Sequence, residues 1–518
     1  MPEHARPSAT ARPTATRPTP AGPAATRPGT TDHHHDRQDR HDRAPGFATE
    51  QVHGGEAPED GFGARVTPVH LTAGFVFDSF AHARARFAGE DDGYTYTRIG
   101  NPTVAALERR LARLEGGAEA VVVGSGQAAV TVALLGLLQA GDHLLAASTI
   151  YEGSRGLFLE NFARFGIEVD LVEDPTDLDA WRALVRPTTR ALFGESISNP
   201  TNVVLDVAGV AGVAHEAGVP LVVDSTLATP YLLRPLEHGA DVVVHSASKF
   251  LAGHGASLGG ALVVAEHVVA DPRLFAHLVE PSALLGGRSW TDVHGSRAYV
   301  AYARAVIASR LGPTISPLNA FLVQQGLQTL SLRLRQHCAG ALAVAGWLAA
   351  RPEVASVRYA GLPGDPSADL AARYLPRGAG SVLCVTLHGG EAAAERFVDG
   401  VRLFSRMTHL GDVRSLVLHP ASTTHAHRDP AELAAAGIHP GTVRLSIGTE
   451  EPEDLLADLE GALAAVRGEP LPPARPALGT ADGTDELDEL DEADGAGWPD
   501  GSRWADAAHL SGLVGALA

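Results

Sequence analysis

Short apolar runs alternate with longer segments of helical periodicity between about residues 119 and 250. Each apolar run is hydrophobic along nearly its whole length, which is typical of strands that are buried on both faces of a sheet. Because helices separate them, the runs predict a mostly parallel α/β sheet. The predicted strands are 120–123, 143–147, 167–172, 190–196, 219–224 and 241–245. One predicted helix begins after 124–126, and three others span 153–165, 178–185 and 207–217.

The pattern changes after about residue 300. Long helical segments at 317–330 and 332–350 precede shorter strands at 381–387 and 442–447, which predicts a second, smaller α+β domain. We therefore predict a large sheet domain at 106–300 and a C-terminal domain at 301–468. Residues 1–45 contain few large apolar side chains, and 469–518 begin Pro-rich and become acidic. Both ends are predicted to be disordered.

Charge and cysteine content narrow the possible partners. The 518 residues contain 41 Lys plus Arg and 61 Asp plus Glu, a net charge of −20, which argues against a nucleic-acid partner. The two cysteines form no CxxC pair, which favours a reducing cytoplasm. No apolar run reaches the ~20 residues that a membrane helix needs, so no membrane association is expected.

The chain contains one lysine, Lys249, although arginine is abundant. Arginine replaces lysine wherever only positive charge is needed, but its guanidinium does not lose a proton to become a nucleophilic amine. Codon bias also explains a low lysine content, so the count alone leaves two interpretations. The sequence Asp-Val-Val-Val-His-Ser-Ala-Ser at 241–248 runs directly into Lys249, as a strand followed by a hydroxyl-rich loop. This context favours a covalent role for the amine.

A lysine beside a hydroxyl-rich loop suggests pyridoxal phosphate (PLP). This cofactor needs a Schiff-base amine, a carboxylate for its ring nitrogen, a phosphate site and a flat group against the ring. Asp224 ends an apolar strand and is the predicted carboxylate, while Tyr151 follows another strand and is the predicted stacking group. The predicted phosphate site combines a helix start with hydroxyl donors. Its residues are Ser125, Gly126, Gln127, Ser246 and Ser248.

Other interpretations of these segments are weaker. Gly124-x-Gly126-x-x-Ala129 matches a relaxed dinucleotide fingerprint, but no carboxylate ends the next strand, so an NAD-dependent oxidoreductase ranks lower. A histidine cluster near the end suggests zinc, yet loop histidines with structural hydrogen bonds are favoured and no metal is predicted. Its members are His419, His425, His427 and His439. A non-catalytic scaffold that uses the acidic tail is a further, remote alternative.

With these residues assembled, the chain resembles the Cys/Met-metabolism family of PLP enzymes from about residue 46 to 467. The resemblance rests on several long strings that occur in order. They include Tyr-Thr-Tyr-Thr-Arg-Ile-Gly-Asn-Pro-Thr at 94–103, Glu-His-Gly-Ala-Asp-Val-Val-Val-His-Ser-Ala-Ser-Lys at 237–249, His-Pro-Ala-Ser-Thr-Thr-His at 419–425 and Val-Arg-Leu-Ser-Ile-Gly at 443–448. The resemblance implies the PLP-dependent transferase fold type I.

The resemblance also implies roles for residues that spacing alone does not identify. Residues 46–105 would form an arm whose Tyr96 and Arg98 reach the cofactor phosphate of a neighbouring subunit, which implies a homodimer paired into a tetramer. Asn199 would lie near the ring hydroxyl. Arg444 would clamp the substrate carboxylate, with Ser422 alongside.

Within the family, the chain is most similar to the sulfhydrylases that act on O-acetylhomoserine. This similarity implies γ-replacement on O-acetyl-L-homoserine with sulfide or a small thiol, in which Lys249, Tyr151 and Asp224 are catalytic. A methionine γ-lyase or cystathionine γ-synthase activity is the alternative. Four positions depart from the family pattern: Glu152, Ser225, Ser248 and Ala256. The charge of Glu152 is expected beside the substrate entrance, where it would alter substrate choice.

Overall fold

The computed structural model describes residues 45–55 and 63–469. Twelve strands in this part of the chain form two sheets. The strands are β1 Glu119–Val123, β2 His143–Ala147, β3 Glu168–Val172, β4 Thr189–Glu195, β5 Leu221–Asp224, β6 Val242–Ser246, β7 Gly260–Val264, β8 Val354–Arg358, β9 Val382–Leu387, β10 Ser405–Arg406, β11 Leu416–Leu418 and β12 Thr442–Ser446.

Helices cover both sheets. The α-helices are α1 Phe47–His53, α2 Phe80–Ala88, α3 Pro102–Glu115, α4 Gly126–Leu135, α5 Glu152–Gly156, α6 Leu178–Leu184, α7 Val207–Glu216, α8 Thr229–Leu232, α9 Ala276–Val279, α10 Trp290–His294, α11 Ala298–Tyr302, α12 Ser309–Leu311, α13 Pro317–Leu327, α14 Leu330–Ala349, α15 Ala368–Tyr374, α16 Gly390–Gly400, α17 Pro430–Ala435 and α18 Pro452–Arg467. Wider π-helical turns occupy Leu157–Phe162 and Ala303–Ala308, and short 3₁₀ turns lie at Pro235–His238, Ala283–Leu285, Gly295–Arg297 and Pro420–Ser422.

The first sheet has the strand order β1-β7-β6-β5-β4-β2-β3. All its neighbouring pairs are parallel except those of β7, which runs antiparallel to both β1 and β6. Because β7 is antiparallel to both of its neighbours, β1 and β6 run in the same direction. The carboxyl ends of β1, β2, β4, β5 and β6 therefore lie at one edge of the sheet. The mostly parallel sheet predicted from sequence is confirmed.

The second sheet has the order β10-β11-β12-β9-β8 and is antiparallel except for the β10–β11 pair. It lies within the region expected to form a C-terminal α+β domain, although the predicted boundaries at 105/106 and 300/301 stay predictions. The described residues from Gly46 onward belong to one compact unit. The two predicted terminal extensions fall almost wholly outside the described residues.

Two local predictions differ from the structure. The strand β7 follows a glycine-containing loop and was not expected, and the helix predicted at 153–165 divides into α5 and a π-helical turn. In that turn Phe158 and Phe162 are fully buried, and Phe158 packs edge-on against Phe193 of β4. The wider turn lets both rings pack on the sheet. Helical periodicity in the sequence does not predict such a turn.

No helix within the described ranges is both long and apolar enough to cross a bilayer.

Candidate active site

A cavity of about 510 Å³ opens at the edge where the carboxyl ends of β1, β2, β4, β5 and β6 meet. Parallel α/β sheets bind ligands at this edge because the loops that follow the strands converge there. Ten of the residues singled out from sequence line the cavity: Ser125, Gly126, Gln127, Tyr151, Asn199, Asp224, Ser246, Ser248, Lys249 and Arg444. The fold therefore assembles residues that are more than 300 positions apart in the chain.

The helix α4 begins at the cavity wall. Ser125 is its N-cap, and the hydroxyl oxygen accepts a hydrogen bond from the backbone N–H of Ala128 at 3.2 Å. A Cβ added to Gly126 would approach the Cβ of Ser246 to 2.7 Å, so only glycine lets the helix start lie against this strand end. The first-turn amides and the helix dipole point positive charge at this corner, which suits a phosphate dianion.

The two serine hydroxyls that are predicted to bind the phosphate differ in their surroundings. Ser246 lies at the cavity edge beside Gly126. Ser248 is 4% exposed, and its hydroxyl donates to the carbonyl of Gly259 at 3.2 Å and accepts from the N–H of the same residue at 3.0 Å. Ser248 therefore fixes the turn that precedes Lys249.

Lys249 projects into the cavity, and burial, followed by the positive charge of Arg444, lowers the pKa of its amine to about 8. A lysine in water has a pKa near 10.4 and is almost entirely charged at neutral pH. The shift leaves a useful fraction of Lys249 as the free amine, the form that is nucleophilic and accepts protons.

Two acids end neighbouring strands beneath the cavity. Asp224 ends β5 and accepts from the N–H of Thr226 at 2.9 Å, while Glu195 ends β4 and accepts from the N–H groups of Tyr151 at 2.7 Å and Asn199 at 3.2 Å. Burial raises the pKa of both carboxyl groups, and the Asp224 charge raises that of Glu195 further. A cation bound over this pair would relieve the cost of burying Asp224 in its charged form.

The Tyr151 ring lines the cavity and is 43% exposed. The backbone N–H of Tyr151 donates to Glu195. A Cβ on Gly153 would come within 2.5 Å of the ring, so a side chain at this position would clash with it. Desolvation, and then the Glu195 charge, raises the pKa of the phenol, which is therefore protonated at neutral pH.

Arg444 lies in the middle of β12 and is 3% exposed. Its guanidinium donates to the Asn199 side-chain oxygen at 3.1 Å and to the carbonyls of Thr408 and His409 at 3.0 and 3.1 Å. Its Nε has no hydrogen-bond partner in the described part of the chain. Burial lowers its pKa to about 10, so it stays cationic at neutral pH. Among the described residues no carboxylate forms an ion pair with it, which leaves a buried cation at the cavity wall.

Three predicted residues lie elsewhere. Ser422 is exposed and hydrogen-bonds the Nδ1 of His419 at 2.7 Å, whereas its neighbours Thr423 and Thr424 line the cavity in its place. Tyr96 and Arg98 lie outside this cavity of their own chain, with the guanidinium 5.5 Å from the Tyr96 ring centre. Both are exposed, and Arg98 donates to the carbonyl of Ser309.

Glu152 has a basic partner in the structure, and its expected effect on substrate choice stays a prediction. Its carboxylate forms an ion pair with Arg428, whose side chain is 7% exposed, and lies 3.7 Å from the Nε2 of His425. Arg428 thus compensates the negative charge that was expected beside the substrate entrance. In the part of the chain that the structure describes, no group of three His, Cys, Asp or Glu residues is arranged to hold a metal ion.

Sequence reasoning missed two titratable residues of the cavity, Glu195 and His409. Glu195 ends an apolar strand just as Asp224 does, and this shared position was a usable signal. His409 lies in the loop between β10 and β11, with its Nδ1 3.1 Å from the Nζ of Lys249. Nothing in the local sequence around His409 indicates a contact with a residue 160 positions away.

Known proteins of similar sequence identify the family. The model of the Cys/Met metabolism PLP-dependent enzymes matches residues 48–464. The chain belongs to this family. It is 45% identical to the O-acetyl-L-homoserine sulfhydrylase of Corynebacterium glutamicum, over 81% of this chain and 97% of that protein. It is 40% identical to the L-methionine gamma-lyase of Pseudomonas putida, over 82% and 98%.

Solved structures agree with this assignment. An O-acetylhomoserine (thiol)-lyase structure from Campylobacter jejuni, described with N'-pyridoxyl-lysine-5'-monophosphate, has a TM-score of 0.78 and 33% identity, over 80% of this chain and 99% of that one. Cystathionine gamma-lyase from Lactobacillus plantarum has a TM-score of 0.70 and 29% identity, over 82% and 100%. The family member described here is a PLP-dependent enzyme, which confirms the predicted fold class and cofactor.

The cavity fits this cofactor on its own features. The glycine-lined start of α4 provides a phosphate site, Lys249 provides a partly neutral amine, and Asp224 provides a buried carboxylate. These groups lie on three strand ends around one cavity, as the chemistry of the cofactor requires.

Proposed function

We propose that this enzyme catalyses γ-replacement on O-acetyl-L-homoserine, with sulfide or a small thiol as the nucleophile. The products are L-homocysteine or a thioether, and acetate. The observation that carries the substrate class is Arg444, a buried guanidinium without an acidic partner among the described residues. A buried cation is costly unless an anion pairs with it, and the planar fork of arginine matches the carboxylate of an amino acid.

The residues predicted from sequence that line the cavity each have a task in this proposal. PLP, when bound, supplies an electron sink for carbanion chemistry next to the amino group. Ser125, Gly126, Gln127 and Ser246 would form the corner that binds its phosphate, and Ser248 would hold the adjoining turn through its contacts with Gly259. Asp224 would keep a proton on the ring nitrogen, Tyr151 would provide the flat group against the ring, and Asn199 would serve the ring hydroxyl.

Proton movement falls to Lys249 and Tyr151. Lys249 takes a proton from Cα of the substrate and then moves protons at Cβ, which its lowered pKa permits near neutral pH. Tyr151 is protonated at neutral pH and assists the departing acetate. Arg444 would hold the substrate carboxylate, and Ser422 would act only through the segment whose Thr423 and Thr424 line the cavity.

A γ-elimination is the second candidate, because the methionine gamma-lyase of Pseudomonas putida is almost as similar as the sulfhydrylases. The same residues serve both outcomes until the nucleophile adds. Replacement is favoured because the C. glutamicum relative, at 45% identity, is a sulfhydrylase.

The deciding experiment incubates purified full-length enzyme with O-acetyl-L-homoserine, with and without sulfide, and identifies the products. Sulfide-dependent homocysteine supports the proposal. Oxobutyrate and ammonia in the absence of sulfide would assign the elimination instead. An enzyme that shows the absorbance of bound cofactor but gives neither product would have a different substrate.

We also propose that the active unit is a homodimer, paired into a tetramer, in a reducing cytoplasm. Arm residues expose large apolar side chains that a second copy would cover, such as Val76 at 94%, Phe80 at 86% and Phe87 at 74%. Both cysteines within the described residues are buried free thiols.

The proposed cross-subunit contact predicts a result for Arg98. Arg98→Ala should release PLP more readily and lower the fraction of enzyme that stays loaded after dialysis, because one phosphate contact is lost. Arg84→Ala, on the exposed part of α2, is the control. Full cofactor retention and normal activity in Arg98→Ala would contradict the role.

A further inference from the structure

The contact between Lys249 and His409 is not explained by the roles assigned so far. The Nζ of Lys249 lies 3.1 Å from Nδ1 of the imidazole, which is hydrogen-bond distance. The Nε2 on the other side of the ring is buried and has no partner among the described residues. The ring therefore makes one directed polar contact, and that contact is with the amine on which the chemistry depends.

The loop that contains His409 is anchored on three sides. The carbonyls of Thr408 and His409 accept from Arg444. Gly411 adopts a left-handed conformation with φ of 74°, and an added Cβ would come within 2.7 Å of the Phe250 backbone nitrogen. The N–H of Val413 donates to the carbonyl of Gly253 at 2.9 Å. The imidazole is thus fixed relative to the turn that contains Lys249.

The imidazole is neutral at physiological pH. Burial, and then the Lys249 charge, lowers the pKa of His409 to about 4. A neutral imidazole has one nitrogen with a lone pair and one with a proton. When Lys249 is an ammonium it has only donors to offer, so Nδ1 is the acceptor and Nε2 bears the proton.

We propose that His409 is a positioning residue for the catalytic lysine: its Nδ1 accepts a hydrogen bond from Nζ whenever Lys249 is not bound to the cofactor. This inference deepens the proposed function, because it concerns the lysine that the function uses as its base. When the Cα–H bond of the substrate breaks, the proton forms an N–H bond on Nζ and the bonding electrons remain with the substrate–cofactor pair. The resulting ammonium donates to Nδ1 and stays aimed at the substrate until it returns the proton.

The hydrogen bond has a predictable effect on the amine. An acceptor beside Lys249 stabilises the ammonium form and opposes the lowering of its pKa by burial. Removing the acceptor should lower the pKa of Lys249 by roughly one unit, as expected for the loss of a hydrogen bond to a charged group. The titratable and charged groups around the pair are Tyr151, Glu195, Asp224, Asp412, Arg414 and Arg444, and none of them changes in the variants below.

The single lysine makes the experiment selective. Full-length protein is freed of PLP with hydroxylamine, and acetic anhydride labels Lys249 across a pH series, with the labelled peptide measured by mass spectrometry. The wild type should show an apparent pKa near 8. His409→Ala should titrate roughly one unit lower. His254→Ala is the matched control, since this histidine follows the same turn but contacts the carbonyl of Ala252 instead, and it should titrate as the wild type does.

A kinetic readout completes the test in the loaded enzyme. In His409→Ala, kcat should fall about tenfold or more because the amine of Lys249 is no longer held in its orientation. KM for the amino acid should be nearly unchanged because the substrate contacts remain. The acid limb of the kcat profile should move to lower pH in the same direction as the labelling pKa.

Specific outcomes would overturn the proposal. A folded His409→Ala with the wild-type labelling pKa and the wild-type acid limb would reject it. If that variant fails to fold, His409→Phe preserves the ring volume without nitrogen and takes its place. Failure of both to fold would assign the imidazole to folding and also reject the proposal. The labelling needs no substrate, so its result stands even if O-acetyl-L-homoserine is not turned over.

Discussion

The two sides of the cavity are built in different ways. Residues on the cofactor side follow the carboxyl ends of strands in the first sheet, within positions 125–249, and each follows or ends a short apolar run. Residues on the substrate side come from the second sheet and its loops: Arg444 from the middle of β12, His409 from the β10–β11 loop, and Thr423 and Thr424 from the segment after β11.

The difference shows how each side is specified. A parallel sheet brings the ends of its strands together regardless of detail, so the cofactor side follows from topology. The substrate side depends on where the loops and strands of the second sheet lie relative to the first, and no local pattern encodes that arrangement. The two sides should therefore respond differently to substitution: the cofactor side through turnover and the substrate side through substrate affinity. His409 is the exception, because its contact is with Lys249.

The largest effect is expected on the cofactor side, for Lys249→Ala. Removing the only lysine should abolish the absorbance of the lysine-bound cofactor and lower kcat by at least about a thousandfold, since both the attachment point and the base are lost. Lys249→Arg is the matched control, because it keeps the charge without a titrating amine and should be equally inactive. A normal cofactor spectrum in either variant would reject the site.

A smaller loss of turnover is expected for Asp224→Ala. Without this carboxylate the ring nitrogen loses the partner that keeps it protonated, and kcat should fall roughly a hundredfold while KM changes little. Asp224→Glu keeps the charge at a shifted position and should recover part of the loss. Steady-state kinetics and the cofactor spectrum are the measurements, and unchanged turnover would exclude Asp224 as the partner of the ring.

On the substrate side, Arg444→Ala should raise KM for the amino acid by roughly thirty- to a hundredfold, since a buried carboxylate would lose its charged partner. The cofactor spectrum should stay normal, in contrast to Lys249→Ala. Arg444→Lys retains the charge without the planar fork and is expected to be intermediate. If Arg444→Ala instead loses the cofactor and keeps its KM, the division of the cavity into two sides is wrong.

The smallest and most graded effect concerns pH. PLP recombines with cofactor-free protein only through the neutral amine, so the rate should rise about tenfold per pH unit below the pKa of Lys249 and level off above it. With a pKa lowered to about 8, the plateau begins near that pH rather than near 10.5. Stopped-flow absorbance measures the rate. A rate that still rises about tenfold per pH unit well above pH 9 would show that burial does not lower the pKa of Lys249.

The sequence by itself determined the class of the fold and most of the cofactor side. Buried strands must be apolar along their length, and residues that end them converge in a parallel sheet, so Asp224, Lys249 and the start of α4 were identifiable from position. The family resemblance added roles for Asn199 and Arg444, which also line the cavity. Glu195 was within reach by the same rule and was overlooked.

Only the tertiary structure decided the contacts made between distant segments. The antiparallel insertion of β7, the pairing of Glu152 with Arg428 and the approach of His409 to Lys249 join residues whose neighbours in sequence carry no sign of the partner. Such contacts arise from strand pairing, from side-chain contacts between distant segments and from loops anchored on backbone groups. These forces act across space rather than along the chain, so periodicity, composition and motif spacing leave them undetermined.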